Sequence, residues 1–230
     1  MDAVVFDVFG TLTDWRTSIA AEFAETAGRA RLDADWTAVT EAWRRAYRPA
    51  LLKVLDGTLP CRTLDELHRL MLDEVLAAFG LTAFIEGDRA GLVQAWSRLQ
   101  AWPDVPSGLA ALQATPLITA TLSNGSVGLL TRLAKRAGLR FDCVLSTEQA
   151  ATYKPDPRAY LMAAELLGVR AGRLLMVACH PDDLEAAAGA GLRTAYIPRP
   201  EWGPDAPAVA PPAGVDVVVP DVPALARLLS

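Results

Sequence analysis

Cysteine and histidine are scarce in this chain: 230 residues include three of the first and two of the second. Cys61, Cys143 and Cys179 stand far apart, with no CxxC pair and no zinc-ligand spacing. Neither a disulfide framework nor a structural zinc site is expected, and reduced thiols fit a cytoplasmic location. An excess of basic charge is also missing. The net charge of −5 leaves no footprint for nucleic acid or an anionic membrane. No apolar run approaches the ~20 residues of a membrane span, and no basic segment leads into an N-terminal apolar one. Neither a transmembrane helix nor a signal peptide is therefore expected.

Apolar residues, by contrast, are plentiful at 52%, against 21% charged, which places the chain among folded proteins. Its length suits one α/β domain, or a core with a small insertion. The opening run Val4-Val5-Phe6-Asp7-Val8-Phe9-Gly10 reads as a buried strand ending at a glycine turn. A lone carboxylate there is expensive to desolvate, so Asp7 is expected to serve chemistry.

Helical spacing then predominates. Helices are expected over 17–30, over 34–54 with a kink or break at Pro49, over 63–79 with Thr63 or Thr58 as cap, and over 88–99. From Pro103 strands and helices alternate, with strands over 117–122, 143–146, 174–179, 194–197 and 215–219. That alternation predicts an α/β doubly wound parallel sheet. Residues 1–14 and 99–230 are expected to form this core, with 15–98 inserted as a helical bundle. The proline-rich segment 198–214 reads as a stiff surface loop.

Strand ends of such a sheet converge on one crevice. Four motifs fall at such ends: Asp7 with Thr11; Ser123-Asn124-Gly125 before a helix; Lys154-Pro155-Asp156-Pro157 with Tyr160; and Cys179-His180-Pro181-Asp182-Asp183. Lys154 is placed to keep Asp7 ionised. His180 is a candidate general base, because its ordinary pKa lies near working pH. Its bland alternative is a helix cap.

In this order the motifs resemble the haloacid dehalogenase superfamily, and most closely its type II L-2-haloacid dehalogenases. FDVFGTLTD is similar to their FDxYGTLxD, Ser123-Asn124 to their SN pair, Lys154 with Tyr160 to KPxxxxY, and Trp43-Arg44 to a WR pair. The resemblance implies a Rossmann-like core under a helical cap, no cofactor, a small 2-haloacid as substrate, and a homodimer. It makes Asp7 the nucleophile, held by Lys154. It puts Thr11 and Ser123 around the substrate carboxylate, with Leu12 and Tyr160 also in the binding site. Asn124 and a cap arginine would face the halide; Arg44 is the match, with Arg45 and Arg48 as rivals. Asp183 would act on water.

Two departures bear on the reaction. Phosphatases of the superfamily carry a second aspartate two residues after the nucleophile, to protonate an alkoxide; here it is Phe9, and a halide needs no proton. Their magnesium-binding aspartate falls on Cys179, a poor ligand for a hard cation. The metal site therefore reads as dismantled, with Asp182 the only compensating acid and a magnesium-dependent phosphate monoesterase as the alternative. His180 stands where the dehalogenases carry asparagine, which leaves Asp183 and His180 both open as the group that activates water, with Glu22 available to orient His180. His68 is expected on a solvated helix face, Arg16 at the surface or cap hinge, and Trp15, Trp43 and Trp202 mostly in packing, with a pocket-lining role open to each.

Overall fold

The structure is a computed structural model that describes residues 1–30, 32–60 and 63–230; Cys61 lies outside the described residues. Strands β1 (Ala3–Phe6), β4 (Ile118–Ser123), β5 (Cys143–Ser146), β6 (Leu174–Ala178), β7 (Arg193–Tyr196) and β8 (Val217–Val218) form one sheet in the order β5-β4-β1-β6-β7-β8. Every pairing in it is parallel. Residues 3–6 of β1 pair with 118–121 on one side and 174–177 on the other. This central place explains why β1 reads as an unbroken apolar run: both of its faces are covered. Val4 and Phe6 enter one core cluster, Ala3 and Val5 the other, as the strand's twofold alternation requires. Strand order reverses at β1, so the crevice of the doubly wound sheet opens at its carboxyl end.

Between β1 and β4 the chain forms α1 (Trp15–Ala30), α2 (Trp36–Leu55), α3 (Leu64–Ala78) and α4 (Glu86–Ala95), which pack on one another. Thr63 caps α3 in a reciprocal pair with Glu66. Of the kink or break expected at Pro49, the break does not occur: α2 runs through it as one helix. Pro49 is exposed, so water can serve the carbonyl left without a donor, while buried Trp43 and Leu51 anchor the helix on either side. The fourth helix stops at Ala95, not at 99, and a strand too short for any periodicity follows. That strand, β3 (Gln100–Ala101), pairs antiparallel with β2 (Thr13–Asp14), so the chain leaves the sheet and returns through one narrow ribbon. Trp102 fastens the return, its indole donating to Gly10 O at 2.8 Å and its backbone N–H to Leu12 O at 3.0 Å.

The remaining helices flank the sheet: α5 (Val105–Gln113), α6 (Val127–Arg136), α7 (Pro157–Leu166), α8 (Pro181–Gly189) and α9 (Val222–Leu229). Ser126 caps α6 and Asp156 caps α7, as residues with short polar side chains at those starts should. Helix α8 starts at Pro181, which puts Asp183 in its first turn.

Candidate active site

Asp7 follows β1 directly, and its N–H closes one more sheet bond to Val177 O at 3.0 Å. Its carboxylate is buried and engaged at both oxygens. Oδ1 accepts from Lys154 Nζ at 2.9 Å; Oδ2 accepts from the Thr11 hydroxyl at 2.8 Å and lies 3.2 Å from His180 Nδ1. Burial works against the anion, but the Lys154 ammonium and His180 outweigh it and hold Asp7 far below the ordinary carboxylate range. Lys154 also donates to Asp183 Oδ2 at 2.5 Å, and these two carboxylates overcome its own desolvation and raise its pKa. Asp183 receives the Tyr160 hydroxyl on Oδ1 at 2.6 Å. Burial keeps Asp183 above its usual pKa despite Lys154. With both oxygens taken, Asp183 is arranged as the anchor of Lys154.

His180 precedes α8, and its ring bridges two carboxylates. Nδ1 faces Asp7 and Nε2 stands 3.1 Å from Glu201 Oε1, with Cys179 Sγ 3.6 Å from the same nitrogen. Desolvation opposes a charged ring, yet the Cys179 sulfur, Asp7 and Glu201 prevail, so His180 titrates well above its ordinary value. Glu201 is itself oriented by the Trp15 indole, which donates to Oε2 at 2.7 Å. Burial would raise the Glu201 pKa, but the His180 hydrogen bond and charge bring it down to about 2. Gly10 makes this approach possible. Its φ of +86° suits glycine, and a Cβ there would collide with the Glu201 carboxylate.

Glu201 was absent from the expected site because it lies in the proline-rich loop, without a strand end or a motif to flag it. Glu22 does not take that role: it binds Arg98 through two hydrogen bonds of 2.7 and 2.6 Å, turned toward its own bundle.

A cavity of about 330 Å³ opens above Asp7, with Lys154, His180, Asp183 and Tyr160 in its wall. Ser123 and Asn124 line it from the end of β4, and the buried Ser123 hydroxyl has no protein partner. Such a group calls for a ligand acceptor. Thr11 and Leu12, expected beside the substrate, do not line the cavity. The Thr11 hydroxyl turns to Asp7 and accepts the Cys179 N–H at 3.0 Å, and Leu12 is fully buried beneath the turn. Phe9, placed where a phosphatase would carry its acid, forms an apolar wall and meets Trp96 edge to face.

Helix α2 supplies three arginines, and their partners sort them. Arg45 pairs with Glu41 and covers the Trp202 ring; Arg48 pairs with Asp182. Arg44 has no carboxylate partner among the described residues. Its guanidinium is steadied over the rings of Tyr47, at 4.8 Å, and Trp15, at 5.6 Å, and it lines the cavity. Trp202 lines the cavity too, whereas Trp43 belongs to the core. Arg16, half-buried, binds Glu41. His68 is not solvated. It is buried against Trp96 and Trp43, and burial, with help from Arg44, lowers its pKa to about 3.

The donor set does not suit magnesium. The positive charge that an ion would bring to Asp7 comes from Lys154 and His180, Cys179 offers sulfur where a hard oxygen is needed, and Asp182 is exposed and tied to Arg48. Cys179, His180 and Glu201 lie close together, but the two ring nitrogens are engaged by Asp7 and Glu201.

Comparison with known proteins gives this geometry a family context. Residues 1–191 match the haloacid dehalogenase-like hydrolases. The chain is 33% identical over 202 residues to an (S)-2-haloacid dehalogenase of Xanthobacter autotrophicus, covering 86% of this chain and 75% of that one. The structure superposes on the defluorinating L-2-haloacid dehalogenase Rha0230 with a TM-score of 0.95 and 42% identity, over 99% of this chain and 94% of that one. It superposes on the L-2-haloacid dehalogenase from Xanthobacter autotrophicus with chloropropionic acid covalently bound, at a TM-score of 0.84 and 29% identity, over 100% and 98% of the two chains.

Proposed function

Since the chain belongs to the haloacid dehalogenase-like hydrolases, we propose that it hydrolyses short (S)-2-haloalkanoic acids to 2-hydroxy acids through an ester on Asp7. One observation carries this reading above all: Asp7 is a buried anion fixed at both oxygens in a cavity that the Arg44 guanidinium also lines. The substrate carboxylate binds at Ser123, whose buried hydroxyl lines the cavity without a protein partner. Asp7 attacks the carbon that bears the halogen, the C–X electron pair leaves with the halide toward Arg44 and Asn124, and the carbon inverts.

Ester formation removes the Asp7 charge, one of the contacts that, with Cys179 and Glu201, keep His180 protonated. The ring then gives up its Nδ1 proton, which accounts for the acid released with the halide. With Glu201 holding Nε2–H, Nδ1 takes a proton from water, and the hydroxide adds to the Asp7 carboxyl carbon. Collapse expels the alkoxide, the new Asp7 acid proton passes to it, and the Asp7–His180 ion pair is restored. His180 with Glu201 is thus the base, and Asp183 positions Lys154.

In this reading residues 15–98 are a cap over a core of 1–14 and 99–230, and the enzyme is metal-independent, cytoplasmic and homodimeric. The motif resemblance supports the cap, the dimer and the independence from metal, and the widely spaced cysteines fit a reducing compartment. A phosphate monoesterase would lack its acid, replaced by Phe9, and its magnesium-binding aspartate, replaced by Cys179.

The test is a single turnover of 2-chloropropionate in oxygen-18 water. The label is expected on Asp7 and not in the first 2-hydroxy acid released, and Asp7→Asn should be inactive. Label going straight into that product would mean that water attacks the substrate directly.

A further inference from the structure

Tyr47 stands one turn after Arg44 in α2 and lines the cavity. Its hydroxyl accepts a hydrogen bond from Asn124 Nδ2 at 2.9 Å. The direction is fixed by the rest of the amide: Asn124 Oδ1 already accepts the Lys154 N–H at 2.9 Å and the Thr147 hydroxyl at 3.1 Å, so the nitrogen must face Tyr47. A phenol that accepts in this way still has its own proton to give, and no described residue takes it. Burial raises the Tyr47 pKa, so the proton stays on throughout the working range. Arg44 lies over the same ring. An anion beside Arg44 and Asn124 therefore meets a third, unused donor.

We propose that the Tyr47 hydroxyl donates to the departing halide, completing a three-point halide site with Arg44 and Asn124, and that its weight is greatest for fluoride. This rests on the dehalogenase reading. As the bond to carbon breaks, the electron pair and nearly a full charge pass to the halogen, and a fixed O–H aimed at it counts most at that moment. Fluoride concentrates the charge in the smallest volume and gains most from a close donor. Bromide is larger, more polarisable and a better leaving group, and needs less help.

Tyr47→Phe keeps the ring over Arg44 and removes only the hydroxyl. Halide release from fluoro-, chloro- and bromoacetate gives kcat/KM, which reports ester formation. The variant should lose about 100-fold or more on fluoroacetate, about tenfold on chloroacetate and only a few-fold on bromoacetate. If fluoride release by the parent is too slow to follow, the chloride-to-bromide comparison carries the same contrast. Breakdown of an Asp7 ester preloaded from bromoacetate, followed by intact mass, should not change. An equal loss on every halogen would reduce Tyr47 to a support for Asn124 and overturn the proposal, as would no loss at all. If the parent protein released no halide from any of the three acids, the dehalogenase reading would fall first.

Discussion

At the scale of single residues, the division of labour around Asp7 is open to two mutants. His180→Asn should slow ester breakdown by about 100-fold while sparing ester formation, so that the Asp7 adduct accumulates in the intact mass spectrum. Glu201→Gln keeps an acceptor for Nε2–H and should cost only roughly tenfold in the same step. Unchanged turnover in both would leave His180 a structural part. Glu201 also links stability to pH. Its pKa falls from the ordinary 4.5 to about 2 on folding, so its contribution is complete above 4.5 and is lost as pH drops toward 2. The gap in urea midpoint between parent and Glu201→Gln should accordingly narrow across that window. That Asp7, Ser123, Asn124, Lys154 and Asp183 meet at one cavity was legible in the sequence, because each lies at or beyond the carboxyl end of a parallel strand on the same side of the sheet. Glu201 was not: it comes from an irregular loop and lies past residue 191, where the family match stops. His68 was legible and misread. The charged neighbours Asp65, Glu66 and Arg69 suggested water, but helical spacing puts it with Leu64, Met71, Leu72 and Val75 on the buried face.

Among the elements, helix type and order were readable from periodicity, while ends moved by one to four residues, as caps and turns decide them. The β2–β3 ribbon could not be read, since two-residue strands have no period. Contacts between elements were equally hidden. One of them is α5 against α9, where a Cβ on Gly108 would lie 2.6 Å from Val222 Cβ. Gly108→Ala is helically favourable in isolation, yet here it must push the helices apart. It should destabilise the fold by about 1–3 kcal/mol, visible as a lower Tm with kcat little affected. Gly28→Ala, with nothing within 4 Å of the added methyl, is the matched control and should hold or raise the Tm.

For the whole molecule, the charge balance of the site sets its response to metals. Lys154 and His180 already neutralise the Asp7 and Asp183 carboxylates, so EDTA should leave halide release unchanged and added magnesium should not create phosphatase activity. Magnesium-dependent cleavage of a phosphate ester would revive the phosphatase reading. The paired strands β2 and β3 also bear on how such an enzyme can diversify. Because the inserted helices leave and re-enter at adjoining strands, they are plugged into the sheet at a single socket. Exchanging residues 16–98 for the matching segment of a relative would carry Arg44 and Tyr47 away and leave Asp7, Lys154, Asp183, His180 and Glu201 behind, with Trp15 still holding Glu201. In such a hybrid the preference among halogens should travel with the donated helices, while the lifetime of the ester should stay with the recipient sheet.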